Sequence, residues 1–372
     1  MTVAGARHLY VHLPFCSSRC GYCDFVTVVG RRDEHGSYVD ALVRELELER
    51  DLLAPAVETV YLGGGTPTFT EAAELERLLA ALPSASELTV EANPETVTPE
   101  LAELLSRNRV TRVSIGAQSF HMHLLDVLDR RCRPEDVRRA VHRLRDAGID
   151  NISLDLIYGI PGQEPADLAR DLAEALVLEP EHVSAYELEA KPGTRFTHAH
   201  GAELARQAES MEGYFEQVVE TLTGAGYRWY ETANFCRAPE QVGGRDLRAR
   251  HNLGYWLGHD YLGLGVGAVS TIENRRWRNA PALPRYLAAL AAGGRPPREH
   301  EQLPPRVRDT ERVLLGLRLD EPLPLAGLQD AVDAAELDRL EQLGLARRSH
   351  GALSLTPRGR FLGGGVTARL LA

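Results

Sequence analysis

Cysteine is scarce, five residues in 372. So few thiols, with no leader-like segment ahead of them, argue against a disulfide-stapled secreted fold and set the expectation of a reducing, cytoplasmic setting. Lysine is represented by Lys191 alone, so basic charge is carried by arginine, a bias from which no function follows. Positive charge is also in deficit overall, with a formal net charge of -11. That balance argues against broad nucleic-acid binding, where affinity comes from cationic contacts to phosphate. No apolar run approaches the roughly eighteen residues of a membrane span.

What remains is ample for a large core, since 44% of the residues are hydrophobic. The length suits a barrel of about 200–250 residues plus an appendage. Short apolar runs alternate with helical patterns, the mark of repeated strand–helix units and a parallel sheet. Strands are predicted at Leu9–Leu13, Val57–Leu62, Leu88–Glu91, Val110–Ile115, Ile152–Ile157 and Val183–Leu188. Helices are predicted at Tyr38–Leu53, Glu71–Ala81, Pro99–Arg107, Pro134–Ala147 and Ala166–Leu178. Thr98 caps one of them ahead of Pro99, and Pro134 with two acidic neighbours opens another that Gly148 closes.

Three of the five cysteines, Cys16, Cys20 and Cys23, fall within eight residues. Thiolates at these spacings can cap three corners of a cubic iron–sulfur cluster and leave the fourth iron for a small molecule. Zinc with His12 as fourth ligand, or inert thiols, are the alternatives, although zinc more often uses two separated cysteine pairs. After the second predicted strand comes Gly63-Gly64-Gly65-Thr66-Pro67, where glycines let backbone amides approach a charged group. Glu91, Gln118, Arg130 and Asp155 stand at or beyond successive strand ends, where a parallel barrel places its ligand.

Cys-x3-Cys-x2-Cys just after a first strand resembles the signature of radical S-adenosylmethionine enzymes. The resemblance implies a partial (β/α)6 barrel and a 4Fe-4S cluster whose open iron is chelated by S-adenosylmethionine, which an electron then cleaves to a 5'-deoxyadenosyl radical. It implies that Cys16, Cys20 and Cys23 hold the cluster. It implies further that Tyr10, Tyr22, Gly64, Gly65, Thr66, Glu91, Gln118, Arg130 and Asp155 surround S-adenosylmethionine. Arg130 suits the cofactor carboxylate, and the acidic groups suit ribose hydroxyls and the sulfonium.

The stretches Leu9–Cys16, Ser153–Gln163, Tyr230–Phe235 and His251–Trp256 narrow the resemblance to the oxygen-independent coproporphyrinogen III oxidase-like family, across nearly the whole chain. The oxidase branch has a further cysteine two residues after the third ligand and a longer amino-terminal segment. Here that position is Phe25, and fifteen residues precede Cys16. Both features resemble the haem-chaperone branch, as does the His-Asn-x-x-Tyr-Trp segment. By that resemblance His251, Asn252, Tyr255 and Trp256 contact haem, with an imidazole for iron and aromatic rings for porphyrin. Packed core residues are the plainer reading of the same segment.

Some positions depart from the pattern. Cys132 stands where relatives carry histidine, and Val266 and Val269 stand where relatives often carry proline and histidine. Cys132 and Cys236 are expected to be small buried hydrophobes. The arginines between Arg131 and Arg145 alternate with acidic residues and read as a solvated helix face.

The expected organisation is a core barrel over 1–235, a connecting segment with the haem motif over 236–300, and a winged-helix-like α+β domain over 301–372. Helices at Arg306–Leu319 and Ala334–Leu343 and a hairpin through His350-Gly351 suggest that last unit. It carries ten arginines against ten acidic groups, which predicts a packing or partner surface rather than a nucleic-acid face. The function expected is haem binding and transfer to client haemoproteins, respiratory cytochromes among the candidates, with a homodimer and a peripheral membrane location left open. The alternative is a true radical enzyme, a coproporphyrinogen III oxidase or another oxidoreductase; on the chaperone reading coproporphyrinogen oxidase activity is expected to be absent.

Overall fold

The computed structural model describes residues 5–191 and 195–371, the side chain of Arg195 excepted. Among these residues one sheet of twelve strands forms the body of the molecule. At its centre six parallel strands run in chain order: His8–Leu13, Val57–Gly64, Ala85–Ala92, Arg112–Gln118, Ile152–Tyr158 and His182–Glu187. Helices His35–Glu49, Ala72–Ala81, Pro99–Arg107, Pro134–Asp146 and Pro165–Val177 make the crossovers. These are the predicted strand–helix units of a partial (β/α)6 barrel, with ends moved by a few residues. Thr98 accepts the Leu101 amide at 3.2 Å, the cap that the sequence announces.

Along these strands apolar and polar residues alternate. Leu9, Val11, Leu13, Val60, Leu62, Val90, Val113, Ile115, Leu154 and Val183 lie in the main hydrophobic core, which also holds the apolar faces of the crossover helices. The residues between them are polar: His8, Tyr10 and His12; Thr59 and Tyr61; Glu87, Thr89 and Glu91; Arg112, Ser114 and Gln118; Ser153 and Asp155; His182, Ser184 and Tyr186. A parallel sheet covered on both faces usually reads as unbroken apolar runs. Here one face of the sheet is lined with hydrogen-bonding groups, and it carries the candidate site.

Both edges of the parallel sheet are extended. Tyr261–Leu264 pairs in parallel with the first strand and is followed by antiparallel Val269–Ile272, Arg275–Asn279 and Arg298–Gln302. Four strands between residues 261 and 302 therefore continue the sheet, with helix Leu283–Ala291 between the last two. On the other edge Asn234–Arg237 pairs antiparallel with the sixth parallel strand and with Tyr227–Glu231. The short helix Arg250–Trp256 packs on the polar face, its Arg250 and His251 amides donating to the Glu87 carboxylate at 3.0 Å each.

The C-terminal unit has its own core, which includes Val313, Leu317, Leu328, Leu337, Leu340 and Leu353. It contains helices Pro305–Gly316 and Ala334–Gln342 and a three-stranded sheet whose hairpin turns at His350 and Gly351, both at positive φ. It docks through Arg228, paired with Asp320 at 2.7 and 3.0 Å, and through Arg360, 3.7 Å over the Trp229 ring.

Candidate functional site

A cavity of about 500 Å³ opens over the carboxyl ends of the parallel strands. Cys16, Cys20, Cys23, Tyr22, Gly64, Gly65, Thr66, Glu91, Gln118, Arg130, Asp155 and Asn252 all line it. Of the residues expected around S-adenosylmethionine only Tyr10 is absent from the wall. It lies beneath, stacked on Tyr61 at 6.2 Å.

The cysteine loop is tied down from below. His12 Nε2 bonds the Val26 carbonyl at 2.8 Å, so it must carry the proton, and Nδ1 accepts from the Tyr10 hydroxyl at 3.0 Å. With both nitrogens engaged His12 anchors the loop, and the zinc alternative loses its fourth ligand. Thr66 Oγ1 donates to Cys16 Sγ at 3.5 Å and Arg130 Nη1 to Cys20 Sγ at 3.7 Å. Such donors stabilise thiolate and cluster sulfur. Among the described residues no three His, Cys, Asp or Glu side chains close on one ion position.

The glycine turn works differently from the expected anion cradle. Gly64 donates its amide to Glu91 Oε2 at 3.1 Å, while the Gly65 and Thr66 amides go to the Leu13 and Phe15 carbonyls at 2.8 and 2.9 Å. The acceptor gathered here is the protein's own Glu91 carboxyl, and the other two amides weld the second strand's end to the cysteine loop. Side chains are excluded: a Cβ on Gly65 would lie 2.6 Å from the Pro14 oxygen, and one on Gly64, at φ +111, 2.5 Å from the His12 ring.

Two buried carboxylates, Glu91 and Asp155, and two guanidiniums, Arg112 and Arg130, belong to the same wall. Glu91 also accepts from Tyr61 at 2.7 Å, and burial, followed by the Asp155 charge, pushes its carboxyl up to about 7. Asp155 accepts from Ser114 at 3.0 and 3.1 Å, and burial raises it too, against the pull of Arg112. Arg130 donates to Gly116 O at 2.6 Å and Asn93 Oδ1 at 3.1 Å. Its Nε, like that of Arg112, is buried with no hydrogen-bond partner. Buried donors without acceptors are costly unless a ligand completes them. Gln118 stands at φ 66 beyond a strand irregularity, a strained conformation of the kind that collects at binding sites.

These groups fit the cofactors that the cysteine spacing implies. Three thiols are available for iron, unsatisfied guanidinium donors for a carboxylate, and carboxylates for hydroxyls and cationic groups. Sequence reasoning missed Tyr61, Asn93, Arg112, Ser114, Ser184 and Tyr186, all of which line the cavity. The period-two polar alternation within the strands was the signal for most of them. Phe25, at the position where the oxidase branch carries cysteine, is 62% exposed on the rim.

The His-Asn-x-x-Tyr-Trp helix does not gather its four side chains on one ligand surface. His251 is buried against the sheet, with Nδ1 2.7 Å from Thr59 Oγ1, Nε2 3.0 Å from the Tyr255 hydroxyl, and its ring stacked on Tyr61 at 5.1 Å. Asn252 faces the main cavity. Tyr255 faces a second cavity beside the C-terminal unit, and Trp256 lies 4.3 Å under the Arg318 guanidinium. Cys132 and Cys236 are both buried. The helix arginines are largely paired, Arg138 with Glu174 at 2.7 Å and Arg145 with Glu181 at 3.2 Å.

The fold and the three-cysteine cavity define a radical S-adenosylmethionine protein. Residues 10–175 match the Radical SAM superfamily and residues 303–362 the HemN C-terminal domain. In structure the chain is similar to coproporphyrinogen III oxidase (HemN) from Escherichia coli, with a TM-score of 0.83, 23% identity, and 99% of this chain and 91% of that chain covered. In sequence it is 39% identical to heme chaperone HemW of Mycobacterium tuberculosis, over 98% of this chain and 94% of the relative. It is 32% identical to heme chaperone HemW of Bacillus subtilis, over 98% and 99%. The chain belongs to the HemW family of haem chaperones.

Proposed function

We propose that this chain binds haem and transfers it to client haemoproteins, and that it carries a 4Fe-4S cluster and S-adenosylmethionine in the main cavity. The observation that carries the haem reading is the 39% identity, along nearly the full length of both chains, to a protein named for haem chaperoning. Cys16, Cys20 and Cys23 would hold the cluster, and Thr66 and Arg130 would donate to its sulfur ligands. Arg130 would take the cofactor carboxylate, while Glu91 and Asp155 would face its hydroxyls and positive charge. When bound, the cluster supplies a single electron and the cofactor a cleavable sulfonium. Gln118 and Tyr22 wall the cavity, and Tyr10 backs it through Tyr61. Respiratory cytochromes are the client class we favour, met at the membrane surface by a protein in which, among the described residues, no helix is long and apolar enough to cross a membrane.

The second reading, an oxidase acting on coproporphyrinogen III, is favoured by the fold match. Phe25 in place of a further cysteine, exposed on the rim, speaks against it. Reconstituted protein incubated anaerobically with reductant, S-adenosylmethionine and coproporphyrinogen III decides between them. Stoichiometric haem uptake with no protoporphyrinogen IX formed is expected, and conversion of the porphyrinogen would overturn the proposal.

A further inference from the structure

A chain of hydrogen bonds crosses the polar face of the sheet from one histidine to another. His259 Nδ1 lies 3.1 Å from His8 Nε2, His8 Nδ1 2.9 Å from Thr59 Oγ1, and Thr59 Oγ1 2.7 Å from His251 Nδ1. His251 Nε2 then meets the Tyr255 hydroxyl at 3.0 Å. His8 and His259 also stack, with ring centroids 5.3 Å apart.

Three proton arrangements satisfy every link, because Thr59 has one proton to give and two lone pairs to accept with, and each neutral imidazole has one donor and one acceptor. In one, the donors point from His259 toward Tyr255: His259 donates to His8, His8 to Thr59, Thr59 to His251, and His251 to Tyr255. That arrangement leaves His259 Nε2 bare. In a second every link reverses and His259 Nε2 carries the proton; in the third Thr59 accepts from both His8 and His251, Tyr255 donates to His251, and His259 Nε2 is again bare. Nε2 meets no hydrogen-bond partner among the described residues. An imidazole whose Nδ1–H is fixed by an acceptor, with Nε2 free, is oriented as a metal ligand.

What His259 faces completes the argument. It lines the second cavity, about 260 Å³, whose apolar wall is Tyr255, Tyr261, Leu314 and Leu315. Tyr255 and Tyr261 meet edge to face at 4.6 Å, and Leu314 is 40% exposed. Two guanidiniums belong to the same cavity: Arg276, held by Glu311 at 2.8 Å through both nitrogens, and Arg308, 3.6 Å from Asp260. Bare imidazole, aromatic and aliphatic wall and paired arginines match iron, porphyrin and propionates in turn. The volume is below that of pockets that enclose a drug-sized ligand. It suits a planar ligand held by one edge, leaving the rest open to a receiving protein.

Resting on the haem reading above, we propose that haem docks in this second cavity with His259 Nε2 as its iron ligand, and that His251 acts at a distance by setting the proton order of the chain. His251 is then a positioning residue, which reconciles its buried, doubly bonded ring with a place in a haem motif.

The test is anaerobic haem titration of the full-length protein with intact cluster, read by absorption and by the ferrous iron–histidine stretch in resonance Raman. His259→Ala is expected to lose the histidine-ligated spectrum and weaken haem binding at least about tenfold. His259→Tyr should replace that spectrum with the charge-transfer band of a phenolate ligand. His251→Ala should keep histidine ligation but shift the stretch to lower frequency, as the chain no longer fixes His8. An unchanged spectrum in both His259 variants, or loss of histidine ligation in His251→Ala alone, overturns the assignment while leaving haem chaperoning intact. Absence of haem uptake by the wild-type protein would instead strike the functional reading.

Discussion

The carboxyl of Glu91 accepts the backbone amide of Gly64 at 3.1 Å, a side-chain contact that ties the ends of the paired second and third strands together at the floor of the cavity. The same carboxylate accepts the Tyr61 hydroxyl, and the Gly64 backbone leads directly into the amides that hold the cysteine loop. Cluster loop and cofactor wall are thus one hydrogen-bonded structure, and a change in either is expected to reach the other.

Glu91 gives the cavity a pH dependence. Its carboxyl, raised by burial from 4.5 to about 7, favours the protonated form in the folded protein. Stability from this group is complete below about 4.5 and is lost as pH rises through about 7. A cationic cofactor reverses the preference, because it needs the ionised form. Calorimetric titration should show S-adenosylmethionine affinity falling by up to about tenfold from pH 8 to pH 6, and Glu91→Gln should be weak and flat across that range. A wild-type affinity independent of pH would remove Glu91 from the cofactor's surroundings.

Arg130→Lys keeps the charge and loses the planar fork that reaches Cys20, Gly116 and Asn93 together. Iron content should stay near wild type while S-adenosylmethionine binding weakens roughly 10- to 100-fold, the worth of a charged hydrogen bond. Equal affinity for the cofactor in an equilibrium binding assay would show that Arg130 serves the loop alone.

Gly65→Ala places a methyl 2.6 Å from the Pro14 oxygen, where backbone must move to admit it. A loss of about 2–4 kcal/mol in chemical denaturation is expected, together with incomplete cluster loading. A variant with wild-type midpoint and full iron would mean that the strand end and cysteine loop are not welded as described.

Arg360→Ala removes the guanidinium that covers the Trp229 ring and donates to the Trp229 carbonyl at 2.9 Å. Limited proteolysis should then cut faster near the junction with the C-terminal unit, with cofactor binding unchanged. Protection equal to wild type would show that the Arg228–Asp320 pair holds the dock unaided.

Much of this was legible in the chain. The parallel strands and their crossover helices follow from apolar runs and caps such as Thr98, because local chemistry fixes where helices begin. The cysteine loop and the strand-end residues Glu91 and Gln118 were legible for a similar reason, since a parallel sheet puts ligands at one end, whereas Asp155 lies in the middle of its strand. Arg112 and Ser114 were hidden because they sit at the start and in the interior of a strand, away from its carboxyl end, where polar residues read as packing unless alternation is counted across neighbouring strands. The edge strands between residues 261 and 302 were not anticipated, since charged runs such as Arg275–Asn279 and Arg298–Gln302 carry little apolar periodicity. Nor does a motif reveal where its side chains point: His251, Asn252, Tyr255 and Trp256 lie within six residues on paper and face four surroundings in space.

Iron and acid-labile sulfide in protein reconstituted without oxygen test the central claim most directly. About four of each per chain are expected in the wild type, with a reducible cluster signal by electron paramagnetic resonance, and neither is expected in Cys16→Ala/Cys20→Ala/Cys23→Ala. Wild-type protein free of iron and sulfide, or a triple variant that retains both in full, would contradict it.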